Sequence, residues 1–242
     1  MMKWGFEFDE RLRWTAELRD NIYKKANLAQ KKNLLEVGCV TGELLKEIGV
    51  MYDLKLYGID NDAIKIEYAK VNLEKNMIDA KLMVMDISNN SFEDEMFDVI
   101  ISYFTFLWIK DLKKSISEIH RILTNDGIFL ILGEPDFGGL IEYPDTNLKK
   151  EIMYNIKNLG GDPAVGRKLN QYITDQFKVI AHYCTSLPWI PNIDRVNLHK
   201  KIDFYEEILN PKQFDINLMR TSIDSEKYFL FIPIFSYHLR KI

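Results

Sequence analysis

The stretch "LLEVGCVTGEL", residues 34–44, reads as the end of an apolar strand, a glycine turn and the first turn of a helix. Gly38 and Gly42 suit such a turn, because glycine tolerates positive φ and lets a ligand approach the backbone closely. Val40 stands between them, where another glycine would be expected. The turn therefore poses two questions: which ligand it holds, and whether the valine obstructs that ligand.

Working outward, strand and helix patterns alternate. The segments 33–37, 54–59, 80–85, 97–102 and 128–132 read as strands, and "GELLKEIG" as the first intervening helix. Apolar residues recur at helical spacing at Ile64, Tyr68 and Val71, and again at Leu112, Ile116, Ile119 and Leu123. Upstream, Trp14, Leu18 and Ile22 mark an N-terminal helix. Apolar strands separated by helices imply a parallel sheet covered on both faces, hence a doubly wound α/β fold. Ligands of such sheets bind beyond the carboxyl ends of the strands.

Later the alternation loosens. Leu148, Ile152, Ile156 and Leu159 predict a helix, as do Leu198, Ile202, Tyr205 and Leu209 before Asn210-Pro211. Residues 177–184 read as a sixth strand and "YFLFIPIFSYHL" as a seventh, with Pro233 forcing a bulge or an edge. The predicted division is one domain over 1–242: a helical segment at 1–33, a ligand-binding core at 34–136, and a wall or lid with closing strands at 137–242.

The formal net charge of -4 gives no global attraction to nucleic acid or anionic membrane. The interleaved cations Arg11, Arg13, Arg19, Lys24, Lys25, Lys31 and Lys32 read as a solvated helical face. Cys39 and Cys184, far apart in sequence, form no disulfide framework. With no signal peptide pattern at the start and no long uncharged apolar run, the expected location is the cytoplasm, without a membrane partner.

A dinucleotide fingerprint of form Gly-x-Gly-x-x-Gly fails here, since its second and third glycines would be Val40 and Glu43. Glu43 would also bring a carboxylate toward a pyrophosphate. The run Glu36-Val-Gly38-Cys-Val40-Thr-Gly42 instead resembles the first motif of class I S-adenosylmethionine-dependent methyltransferases, acid-x-Gly-x-Gly-x-Gly. "YGIDND" and "VMDIS" resemble the second- and third-strand motifs of that family, and the segments after them its fourth and fifth. The resemblance implies a Rossmann-like seven-stranded sheet whose last strand is antiparallel, with an N-terminal helix and helical lid insertions. It implies S-adenosyl-L-methionine as cofactor. Of the residues, it implies Glu36, Gly38, Cys39 and Gly42 at the turn, Asp60 and Asn61 at the ribose, Asp86 and the Ile87 amide at the adenine, and Ser102 after the fourth strand.

Val40 is the departure, and its φ is expected to be negative with its amide still near the ligand. For the acceptor side the candidates are Tyr103 and Trp108 after the fourth strand, Glu134 and Asp136 after the fifth, and Arg167 after "GGDPAVG". Arg13 or Arg19 could meet the ligand's carboxylate. An apolar acceptor pocket could draw on Tyr143, Tyr154, Tyr172, Tyr183, Trp189, Phe204 and Tyr205. Cys39 reads as a small filler. His182 and Cys184 share one strand face, but a metal would need further ligands than His238, and none is expected. His120 reads as structural. The acceptor, nucleic acid being disfavoured, is a small molecule or a side chain. The alternative is a protein that holds adenosylmethionine without transferring from it.

Overall fold

The computed structural model describes residues 12, 15–173, 175–186 and 189–242. Expectations placed on Arg11, Arg13 and Trp14 lie outside the described residues.

The predicted strand–helix alternation is present. β1 (Asn33–Val37), α2 (Glu43–Met51), β2 (Lys55–Asp60), α3 (Ala63–Lys75), β3 (Ala80–Val84), β4 (Phe97–Tyr103), α4 (Leu112–Ile122) and β5 (Leu123–Pro135) follow α1 (Ala16–Lys25). Then come β6 (Ile141–Tyr143), α5 (Leu148–Asn158), α6 (Asn170–Ile173), β7 (Phe177–Thr185), α7 (Pro191–Ile208), α8 (Ile216–Asp224), β8 (Phe229–Phe231) and β9 (Ile234–Lys241). The main sheet has seven strands in the order β3-β2-β1-β4-β5-β9-β7. β1 pairs parallel with both β2 and β4, while β9 runs antiparallel to β5 and β7. The strand order reverses between β1 and β4, so a crevice opens at their carboxyl ends.

Side-chain alternation assigns each strand residue to a face. Leu35, Val37 and Ile100 join the core beneath α4 to α8, whereas Leu34, Val99, Ile101 and Tyr103 join the core beneath α1 to α3. This parity places Ser102 on the first face and Glu36 on the second.

Three expectations need correcting. In α3 the stripe Ile64, Tyr68 and Val71 is the outward face, at 50%, 48% and 64% exposure; Ile66, Ala69 and Leu73 are buried instead. The reason is the close approach of α3 to the glycine turn: a Cβ on Gly42 would stand 3.3 Å from the Ala69 Cβ. Only a small residue allows that contact, so the Ala69 side turns inward. In α1 the inward face is Arg19, Ile22 and Tyr23, with Leu18 only half-buried. Arg19 is thus no solvated cation. The third concerns "YFLFIPIFSYHL", which is two strands. Pro233 has no N–H for the ladder, and the chain crosses there from β8, paired with β6, to β9 in the main sheet. β9 lies between β5 and β7 and is no edge.

His182 stacks on the Tyr237 ring at 4.4 Å, and His238 points to the opposite face. Among the described residues no group of three metal-ligating side chains forms. His120 lies by the chain end, its Nε2 3.1 Å from the Ile242 carbonyl oxygen. His238 is 4% exposed, and burial together with the nearby Arg240, Lys31 and Lys25 charges pushes its pKa down. The unfolded imidazole titrates near ~6.5, so the unfolded chain binds the extra proton first and the contribution to stability is lost as pH falls below that value. Between pH 7.5 and 5.5, wild-type urea stability is expected to fall relative to His238→Gln by at most ~1.4 kcal/mol per pH unit, the ceiling for one proton. Parallel pH profiles for the two proteins would refute the assignment.

Candidate functional site

Beyond the strand tips lies a cavity of about 440 Å³. Val37, Gly38 and Val40 line it from the β1 end, Ile59, Asp60 and Asn61 from β2, and Met85 to Ser88 from the end of β3. Phe104, Thr105 and residues 108–111 line it after β4, and Leu159 and Gly160 close it from the far segment. Asp60 and Asp86 therefore share one cavity, and the Met85 N–H, donating to the Asp60 carbonyl at 3.0 Å, ties the two strand ends together.

The glycine turn is held from within. The Gly38 and Cys39 amides both donate to the Ile59 carbonyl, at 2.8 and 3.0 Å. The Val40 amide donates to Asp60 Oδ2 at 3.3 Å. Three successive N–H groups are thus committed to the protein rather than aimed at a phosphate. Gly38 and Gly42 have φ of 74° each, and a Cβ on Gly38 would lie 2.6 Å from the Thr105 side chain.

Val40 departs from expectation: its φ is 44°, in the left-handed region. The conformation costs a β-branched residue ~1–3 kcal/mol and persists because the surroundings impose it. Here those surroundings are the two flanking left-handed glycines and the Asp60 carboxylate. Val40→Gly deletes a half-buried side chain but removes that strain. Urea unfolding is expected to show unchanged stability, or a gain of up to ~1 kcal/mol. A larger loss would mean that the turn is not strained.

Asp60 is 6% exposed, and its Oδ1 accepts the Asp62 amide at 3.0 Å, with the Lys65 ammonium 3.7 Å away. Burial raises its pKa, and Lys65 acts against that rise. Asp86 is exposed and caps a short 3₁₀ turn, its Oδ1 accepting the Ser88 amide at 2.8 Å. The next residue, Ile87, is buried against the cavity.

Other predicted residues lie elsewhere. Glu36, Cys39, Gly42 and Ser102 do not line the cavity. Parity turns Glu36 beneath α1 and α2, where burial, reinforced by the Asp60 charge, pushes its carboxyl well above the ordinary range. Cys39 is fully buried, and its Sγ would lie 3.0 Å from a Cβ on Gly58, which makes it a filler against β2. Gly42 is the N-cap of α2 and meets α3. Glu43 does not reach toward the cavity; it accepts from Asn72 Nδ2 at 2.7 Å and pairs with Lys46. The charge argument against a pyrophosphate thus falls, while the argument from the committed amides takes its place.

The acceptor-side candidates also move. Tyr103 is 1% exposed on the α1 face, its hydroxyl bonded to Thr15 Oγ1 at 3.1 Å. Arg19 is fully engaged: it grips both Glu47 oxygens, and its Nη1 donates to Thr15 Oγ1 at 2.6 Å. Asp136 and Arg167, expected as separate rim charges, pair with each other, with Arg167 Nη2 at 2.9 Å from Asp136 Oδ1. Glu134 is fully buried and accepts the Thr105 and Phe106 amides at 2.7 and 3.0 Å. Trp108 alone of the acceptor-side candidates lines the cavity. None of the seven lid aromatics does; Trp189, Phe204 and Tyr205 surround the Lys201 ammonium at 5.1–5.7 Å instead.

Sequence reasoning missed Thr105, Lys65, Leu159 and Gly160 as cavity residues. Lys65 carried a signal, lying in the first turn of the helix that follows Asp60. Leu159 and Gly160 carried none, being remote in sequence and readable only as a helix end before a break.

The chain matches the family model described as "Methyltransferase domain" over residues 35–131. It is 29% identical over 191 residues to probable polyketide synthase 23 of Dictyostelium discoideum, covering 70% of this chain and 8% of that protein. It is 29% identical over 152 residues to sterol 24-C-methyltransferase of Candida albicans, covering 62% of this chain and 40% of the relative. The chain thus spans less than half the length of either. In fold it is similar to the [4+2]-cyclase SpnF, with a TM-score of 0.63 at 16% identity over 93% of this chain and 80% of that one.

Proposed function

We propose that this chain, which belongs to the class I S-adenosylmethionine-dependent methyltransferases, transfers a methyl group from S-adenosylmethionine to a small molecule or a side chain. The observation that carries the reading is the meeting of Gly38, Asp60 and Asp86 on one cavity whose turn amides are already spent. That cradle suits a ligand without phosphates. Asp60 offers a carboxylate to the ribose hydroxyls, with Asn61 beside it, and Asp86 and the Ile87 amide face the adenine edge. Gly38 leaves room for the amino-acid end, because no Cβ fills the space before Thr105.

When bound, the cofactor supplies a methyl group on a sulfonium, a good leaving group. The protein's part is to hold the acceptor opposite that carbon and keep water away. Phe104, Trp108 and Ile109 form the apolar wall that excludes water. Tyr103 and Glu134, the candidates for a general base, are both buried off the cavity and hydrogen-bonded, and the acids that line it, Asp60, Asp86 and Asp111, each accept a backbone amide. Transfer then rests on positioning, and suits an acceptor already nucleophilic at neutral pH. From the second half of the chain, Leu159 and Gly160 reach the cavity and close its acceptor side. Among the described residues no helix is long and apolar enough to cross a membrane. Cys39 and Cys184 stand unpaired, which supports a cytoplasmic setting.

A second reading, ligand binding without methyl transfer, is favoured by one observation: the same fold carries a protein described as a cyclase. Calorimetry with S-adenosylmethionine and with NAD, followed by a labelled-methyl assay over a broad acceptor panel, separates these. Binding of the first ligand alone, with label reaching an acceptor, is expected. Tight binding with no label transferred to any acceptor supports the second reading, and preference for NAD overturns both.

A further inference from the structure

Glu134 is a buried acid for which the transfer reaction has no use. It sits near the end of β5, fully buried, with Oε1 accepting two successive amides, those of Thr105 and Phe106. Burial pushes its carboxyl up to about 8, against the lowering effect of backbone amides at Thr105, Phe106 and Leu107; no charged side chain contributes. At about 8 it is mainly the protonated acid at neutral pH, and its Oε2 has no hydrogen-bond partner among the described residues.

What it holds is strained and faces the cavity. Phe104 has a φ of 53°, left-handed for a bulky residue, and its amide is pinned to the Gly133 carbonyl at 2.8 Å. Thr105 follows, its hydroxyl donating to the Val37 carbonyl at 3.0 Å and its side chain filling the space before Gly38. A segment in such a conformation stays only where its surroundings over-determine it. One carboxyl oxygen bonded to the next two amides does that.

We propose that Glu134 is a positioning residue: from the tip of β5 it fixes residues 104–106, and through them the wall that Phe104, Thr105 and Trp108 present to the cavity. The proposal rests on the reading of that cavity as the methyl-donor site. Glutamine reproduces the neutral acid, with one acceptor oxygen for both amides. Aspartate keeps the acid but is one methylene short of reaching both.

The test uses the full chain and S-adenosylhomocysteine as calorimetric probe, with circular dichroism to establish folding. Glu134→Gln is expected to bind within about threefold of wild type, and Glu134→Asp at least tenfold more weakly while folded. Near-wild-type binding by folded Glu134→Asp, or equal damage in both variants, overturns the proposal. If Glu134→Asp does not fold, amide hydrogen exchange in Glu134→Gln decides. Thr105 and Phe106 amides as slow as in wild type support the proposal, and a tenfold acceleration overturns it. Failure of wild type itself to bind the probe refutes the donor-site reading instead, and the exchange result still judges the Glu134 contact.

Discussion

Gly38→Ala is expected to lose about 2–3 kcal/mol of folding stability and at least ~100-fold in affinity for the methyl donor. Two costs add. An L-residue in the left-handed region loses ~1–2 kcal/mol, and Gly38 has a φ of 74°. The new methyl would also lie 2.6 Å from Thr105 Cγ2 and Oγ1. Thr105 must rotate away, breaking its bond to the Val37 carbonyl, a loss of ~1 kcal/mol. The affinity loss follows because Gly38 and Thr105 both line the cavity, so the methyl and the displaced Thr105 take space from the ligand; at ~1.4 kcal/mol per tenfold, ~100-fold is a cost of ~2.8 kcal/mol. Urea unfolding and calorimetry with S-adenosylhomocysteine check the two halves separately. A stable variant that binds normally would mean that the turn yields and does not define the site.

Asp60→Asn is expected to weaken donor binding ~10–100-fold and to cost ~1–2 kcal/mol of stability, because one of the two amides loses its acceptor. The carboxylate accepts from the Val40 and Asp62 amides and faces the cavity. An amide side chain keeps one acceptor oxygen and replaces the other with a donor. Hydrogen bonds to a charged partner contribute ~1.5–3 kcal/mol, which sets the size of the loss. The discriminating control is a ligand without the ribose 2′-hydroxyl. If Asp60 grips that hydroxyl, the deoxy ligand binds wild type and variant nearly alike. A full additional loss with the deoxy ligand would place the Asp60 contact elsewhere.

The fold was readable because its signals are local. The strands β1 to β3 are short runs, and each acid at the site stands at the end of its own strand or within two residues of it, so chain order alone puts Asp60 and Asp86 at the same rim. What could not be read depends on contacts between distant residues. The ion pair of Arg19 with Glu47 turns an ordinary surface cation into a core residue. Glu134 looks like a rim acid until the amides of β4's outgoing segment are placed beside it. In α3 two apolar stripes compete, and the larger residues suggested the wrong one; the choice is made by Gly42, from another element. Val40 shows the same limit in the backbone. Its local preference is negative φ, and the left-handed conformation follows from the glycines on either side and from an acid twenty residues on, which binds its amide.

The break at Pro233 has a mechanical consequence. Only Ile232 and Pro233 separate β8, in the small outer sheet, from β9, which is clamped on both sides in the main one. The Pro233 carbonyl also receives the Asp136 amide at 2.9 Å. Any swing of the outer layer must therefore be absorbed within two residues acting as a short lever. Its fulcrum lies against the outgoing tip of the fifth strand, so a shift of the outer layer would be passed to the strand that carries Glu134 and the two amides it holds.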